Sequence, residues 1–130
     1  MKSIKSPGGS MYPYFYKGGE VHCLKYGGFL KNKHRLFALM REEEEFIRRT
    51  NKQLRIWIDL YETKVTKEVL IELIQSLKRI NHHIQKLTIV GLPLITRWKL
   101  DRLIKGDKST GLNITYFKDP EDAKTWLVNE

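Results

Sequence analysis

Two short runs constrain this chain more than anything else in it: Leu54–Leu60 (LRIWIDL) and Lys86–Gly91 (KLTIVG). Each is dense in β-formers, carries apolar residues at adjacent positions, and is too short for a buried helix, so each reads as an interior strand. Between and around them lie segments of helical period. Strands alternating with helices cannot close as hairpins. They require parallel pairing through crossovers, which makes the chain an α/β protein.

The helical segments have clear signals. Over Lys31–Arg49, residues Leu36, Leu39, Met40, Glu43, Phe46 and Ile47 fall on one face, with Glu43 the single polar break and Asn32 a plausible N-cap. The run Glu42–Glu45 followed by Arg48 and Arg49 reads as a solvated face with charge pairs three and four residues apart. Consecutive helical carboxylates point in different directions, so the run does not make a metal site. Thr66 predicts an N-cap for a second helix to about Ile80, burying Val69, Leu70, Leu73, Ile74 and Leu77. Pro93 opens a third, about Leu94–Ile104, expected to bury Leu94, Trp98 and Leu103. Gly106–Gly111 reads as a polar loop and Asn113–Phe117 as the last strand. Asp119 and Pro120 then start a final helix through Val128.

At the start, Met11–Lys17 is aromatic and contains Pro13, which suits an edge strand; Gly18-Gly19 turns it back into Glu20–Tyr26 as a hairpin, and Gly27-Gly28 breaks the strand. The expected architecture is a curved, mixed, mostly parallel sheet of about five strands with four helices in the order β-β-α-β-α-β-α-β-α. Residues 1–10, with Ser6-Pro7-Gly8-Gly9-Ser10, read as a flexible leader outside one domain spanning 11–130. At 130 residues such a chain buries roughly two thirds of its unfolded surface and needs no metal or disulfide staple.

Composition narrows the function classes. The net charge of +9 is uneven: residues 1–41 hold eight Lys and Arg against one acid, Glu20, residues 42–104 twelve against nine, and residues 105–130 four against five. That excess attracts anionic surfaces in general but carries no motif for specific nucleic-acid recognition. One cysteine, Cys23, excludes an internal disulfide, and no apolar run suits a signal peptide or a membrane span, so a soluble cytoplasmic protein is expected.

A search for chemistry at the strand ends finds none of the usual machinery. P-loop, GxGxxG, GxSxG and HExxH patterns do not occur. His82-His83 reads as a helix terminator. Cys23, inside a predicted strand, reads as a small core residue rather than a nucleophile. Asp59 closes the first interior strand as either a catalytic acid or a carboxylate bonding the next turn, and the second suits Asp better. The chain is therefore expected to be no enzyme, with no catalytic residues, no metal and no cofactor.

Three anchors then bear on family: Arg55–Leu60 followed by a short loop and a Thr-capped helix; Lys86–Gly91; and the close Tyr116-Phe117-x-Asp119-x-Glu121-x-Ala123-x-x-Trp126-Leu127. Over Val21–Val128 these resemble the SpoIIAA-like branch of the STAS domain family (sulphate-transporter and anti-sigma-factor-antagonist domains). The resemblance implies a helix-covered sheet and a regulatory role through protein–protein binding. In such antagonists a serine at the start of the second helix is phosphorylated and the charge ejects the partner. Here that stretch is Lys64-Val65-Thr66-Lys67, without the family's serine pair and glycine, so only Thr66 stands where the switch would be. The partner-binding residues expected on this basis are Tyr61, Glu62, Lys64, Thr66 and Lys67, on the surface around Asp59–Lys67. An outline similarity to CRAL-TRIO lipid-binding domains implies the alternative: an apolar-ligand or membrane-surface domain with Trp57, Trp98 and the hairpin aromatics Tyr12, Tyr14, Phe15 and Tyr16 near the ligand. The same hairpin offers an edge for a homodimer.

Overall fold

Along Leu54–Asp59 (β5) burial alternates strictly: Leu54, Ile56 and Ile58 are buried, Arg55, Trp57 and Asp59 half-buried. This strand therefore has two different faces. The computed structural model describes residues 4–107 and 111–129. Ahead of β5 come Ile4–Lys5 (β1), Met11–Tyr12 (β2), Tyr14–Tyr16 (β3), Gly19–Lys25 (β4) and the helix Lys33–Thr50 (α1). After it come Lys67–Arg79 (α2), a 3-10 turn at Asn81–His83, Ile84–Val90 (β6), Leu94–Gly106 (α3), Thr115–Phe117 (β7) and Pro120–Val128 (α4).

The main sheet runs β3-β4-β5-β6-β7 in chain order, with β3 antiparallel to β4 and the remaining pairs parallel. Crossovers of one hand between successive neighbours place their helices on one side. Thus α1, α2 and α3 pack side by side over Leu24, Tyr26, Ile56, Ile58, Leu87 and Ile89, while α4 lies across the other face. The expected α/β class, the four helices and a mostly parallel mixed sheet of five strands are present, and the short strands β1 and β2 form a second, unexpected pair outside that sheet.

Capping explains the helix starts. Asn32 Oδ1 accepts from Arg35 N at 3.2 Å, Thr66 Oγ1 from Val69 N at 3.2 Å, and Asp119 Oδ1 from Glu121 N at 2.9 Å. Each supplies an acceptor to one of the N–H groups a helix leaves free at its start. The predicted buried face of α2 is the observed one, with Ser76 added.

Four expectations need correction. Met11–Lys17 is two strands, because Pro13 has no N–H and interrupts the ladder: β2 pairs with β1, and β3 with β4. Residues 4–10 consequently belong to the fold and do not precede it, with Ser6 and Ser10 buried; Met1–Ser3 lie outside the described residues. The acidic run of α1 is not one solvated face: Glu42 and Glu45 are exposed, but Glu43 and Glu44 are buried.

Each of those two buried carboxylates has a full set of partners. Glu43 Oε2 accepts from Ser6 Oγ at 2.8 Å and Gly8 N at 3.0 Å, and its Oε1 lies 3.2 Å from His22 Nε2. Glu44 binds Ser76 Oγ at 2.6 Å and Arg79 Nε at 2.7 Å, and so joins α1 to α2. Burial pushes the Glu44 carboxyl up, but hydrogen bonds from Arg79 and Ser76 and the charges of Arg79 and Arg41 outweigh it and hold the pKa below the usual value.

Finally, α3 departs from the expected orientation at Leu94 and Trp98, while Leu103 packs half-buried against the core as expected. Leu100 is the residue it buries, whereas Leu94 is 72% and Trp98 57% exposed. Two residues along a helix of 3.6 per turn is roughly 200°, so Leu100 and Trp98 face opposite ways. The helix is apolar on several sides, and only contact with the sheet margin selects one of them. The loop expected over Gly106–Gly111 lies partly outside the described residues.

Candidate functional site at the strand ends

The carboxyl ends of β4, β5 and β6 feed Gly27–Asn32, Leu60–Thr66 and Gly91–Pro93, and in an open α/β sheet this is the edge where ligands and partners bind. The first two loops are bonded together like a continued ladder. Gly28 N donates to Tyr61 O at 2.7 Å, Leu30 N to Glu62 O at 2.8 Å and Lys64 N to Leu30 O at 2.7 Å. Thr63 Oγ1 donates to Tyr26 O at 2.7 Å and accepts from Phe29 N at 3.2 Å, pinning both loops at their centre. Asp59 closes the strand as the sequence suggested, its Oδ1 accepting from Tyr61 N at 2.9 Å.

Two glycines make room for Tyr61. A Cβ on Gly91, whose φ is +81°, would lie 2.5 Å from the Tyr61 ring, and a Cβ on Gly27 would meet the Tyr61 carbonyl oxygen. With the ring lying over Gly91, the Tyr61 hydroxyl reaches across the strand ends and donates to Lys118 O at 2.7 Å. Leu30 and Glu62 both hold left-handed backbone, at φ of 52° and 59°, which costs free energy for a residue with a Cβ.

The expected partner-binding residues are together on this rim. Tyr61, Glu62, Lys64 and Lys67 are exposed and Thr66 is half-buried at the start of α2. Neither Lys64 nor Lys67 meets an acidic side chain within ion-pair distance among the described residues, whereas Lys33 pairs with Glu68 at 2.7 Å. Sequence reasoning missed Phe29 and Leu30. Leu30 is mostly exposed and bridges to Thr63. Gly27-Gly28 marked the break after β4, but no local signal showed that the next residues would pair with Leu60–Thr66.

The two tryptophans expected around an apolar ligand do not share a site. Trp57 lies on the α4 face of the sheet beside Tyr14 and Lys124, at a recess of ~230 Å³. Trp98 lies on the outer side of α3, at a separate groove of ~440 Å³ lined by Lys67, Leu70, Lys99, Arg102 and Leu103. The sheet lies between them. Of the hairpin aromatics, Tyr12 packs on Phe46 and His22, Tyr16 bonds Glu121 of α4, and Phe15 is exposed on the free edge strand β3.

Cys23 is buried in β4, and burial, with Asp59 adding to it, pushes its thiol up to about 12. That is the opposite of an activated nucleophile. Among the described residues no group of three or more His, Cys, Asp and Glu side chains could hold a metal ion, and no helix is long and apolar enough to cross a membrane. No protein-family model, no curated protein and no solved structure matches this chain.

Proposed function

We propose that this chain is a regulatory or adaptor module that acts without catalysis, binding a protein partner through Tyr61, Glu62, Lys64, Thr66 and Lys67. One observation carries the reading: the backbone of this segment is held by hydrogen bonds to Gly28 and Leu30, the Tyr61 ring is fixed over Gly91, and Glu62, Lys64 and Lys67 are exposed around it. A preorganised, exposed segment binds without the cost of ordering a loop. Lys64 and Lys67, without an acidic partner among the described residues, stand beside Tyr61 and give the segment a basic and aromatic character, tyrosine being a frequent anchor at interfaces.

On the SpoIIAA-like reading Thr66 is the control point and the cytoplasm is where the module works. A phosphate on Thr66 would meet the first-turn N–H groups of α2, the positive end of the helix dipole, and the ammonium groups of Lys64 and Lys67. The charge facing a bound partner would change from positive to negative.

The test is affinity capture of the partner from native lysate. Lys64→Glu and Thr66→Asp abolish capture, while Thr66→Ser and the distant Arg49→Glu retain it. Asp and Ser both keep the N-cap, so lost folding of α2 does not enter. Capture indifferent to both Lys64→Glu and Thr66→Asp sinks this surface. A homodimer through the β3 edge is a separate proposal, refuted by a monomer mass in sedimentation equilibrium at high protein concentration.

A further inference from the structure

From the outward stripe of α3 we infer a second interaction surface, adjoining the rim at Lys67: a site that docks on an anionic lipid bilayer. Leu94, Trp98, Arg102 and Lys105 recur at intervals of four, four and three residues and so lie along one side of the helix, with Ile95 and Lys99 beside them. The stripe is apolar at its first turn and basic thereafter. Ile95 is as exposed as its neighbours, at 69%, so three large apolar side chains stand together in solvent on one helical turn.

The charges complete the pattern. Lys99, Arg102 and Lys105 have no acidic partner among the described residues, and Arg102 lies 4.9 Å over the Trp98 ring. The one acid of the helix, Asp101, faces inward and accepts from the Tyr116 hydroxyl at 2.7 Å. Arg97 is occupied inside as well, donating to Leu92 O. Apolar side chains that enter the interface beside cations that meet phosphate are the chemistry of an interfacial helix. Trp is suited to that depth because its ring is apolar and its N–H polar.

Charge complementarity selects the occupant. A second copy docking by the same stripe would set Arg102 and Lys105 against themselves, and nothing on the stripe would neutralise them. A bilayer is anionic over its whole extent. It can meet this stripe together with the general field of a chain carrying +9.

The experiment is flotation of the full chain with vesicles of phosphatidylcholine mixed with phosphatidylserine, against phosphatidylcholine alone. Binding is expected only to the anionic vesicles. It weakens about tenfold in Trp98→Ala and again in Leu94→Ser, from lost apolar transfer. It weakens about fivefold or more in Arg102→Glu, from lost attraction to the surface. All three positions are exposed, and unchanged circular dichroism confirms that the variants fold. Phospholipid brominated on its chains quenches tryptophan emission in the wild type and not in Trp98→Phe, which localises the contact. The proposal is overturned by no binding to the anionic vesicles, by equal binding to both vesicle types, or by quenching that persists in Trp98→Phe. It is equally overturned if Arg49→Glu, at the far end of α1, weakens binding as much as Arg102→Glu, since only diffuse charge would then be acting.

Discussion

Replacing Gly91 by alanine puts a methyl group into the space that the Tyr61 ring occupies. Two separate costs follow. The backbone at φ +81° is left-handed, and an L-residue there loses about 1–2 kcal/mol, slightly offset because alanine restricts the unfolded chain more than glycine does. The methyl also lies 2.5 Å from the ring, well inside contact distance, and overpacking of this kind costs about 1–3 kcal/mol. The single substitution should therefore lose about 2–4 kcal/mol. Tyr61→Ala alone loses its hydrogen bond to Lys118 O and part of its burial, together about 2 kcal/mol. In the double variant the backbone cost persists but the clash has no partner. The two losses should then fall short of additivity by about 1–3 kcal/mol. Urea unfolding of the four proteins, followed by circular dichroism, measures this directly. Additivity within about 0.5 kcal/mol would show that Tyr61 does not lie on Gly91, and the picture of a rigid rim built on that contact would fall with it.

Other consequences are as open to measurement. Glu44→Gln should cost about 2 kcal/mol at neutral pH, less than for a fully buried pair because Arg79 is over a third exposed and partly screened. The folded pKa of Glu44 is depressed, so its contribution is present above the ordinary value of 4.5 and is lost as pH falls through the lower folded value; a gap between variant and wild type that stays constant into acid refutes this. Glu43→Leu removes the acceptor for Ser6 Oγ and Gly8 N, and hydrogen exchange at residues 6–10 should accelerate well before global unfolding. Leu100→Ala should cost about 2–5 kcal/mol and Leu94→Ser within about 0.5 kcal/mol in a denaturant titration, and the reverse order would mean α3 is turned the other way. Alkylation of Cys23 in mildly alkaline buffer should be slow and should follow the unfolded fraction as urea rises, since a buried thiol pushed up to about 12 reacts only when it opens.

Much of the rim was legible residue by residue. Asp59 bonding the next turn, Thr66 capping α2 and the exposure of Tyr61, Glu62, Lys64 and Lys67 depend on interactions within a few positions of chain, where the residue types decide the outcome. Phe29 and Leu30 were not legible, because their partners lie over thirty residues away and the intervening helix hides the pairing. Glu43 shows the same limit from the other side. It interrupted an apolar face, and only His22, Ser6 and Gly8, brought in by β4 and the N-terminal turn, explain why a carboxylate can be buried there.

The amino-acid pattern by itself determined the alternation of strands and helices, where the helices begin, and hence the parallel α/β sheet. These follow from backbone stereochemistry and from periods of two and 3.6, which act locally. Tertiary structure alone decided which side of α3 meets the core, that Glu43 and Glu44 are enclosed, that residues 4–10 join the fold, and that Trp57 and Trp98 stand on opposite faces. Each of those outcomes depends on a surface assembled from distant segments, and a helix with apolar residues on several sides has no local reason to prefer one of them.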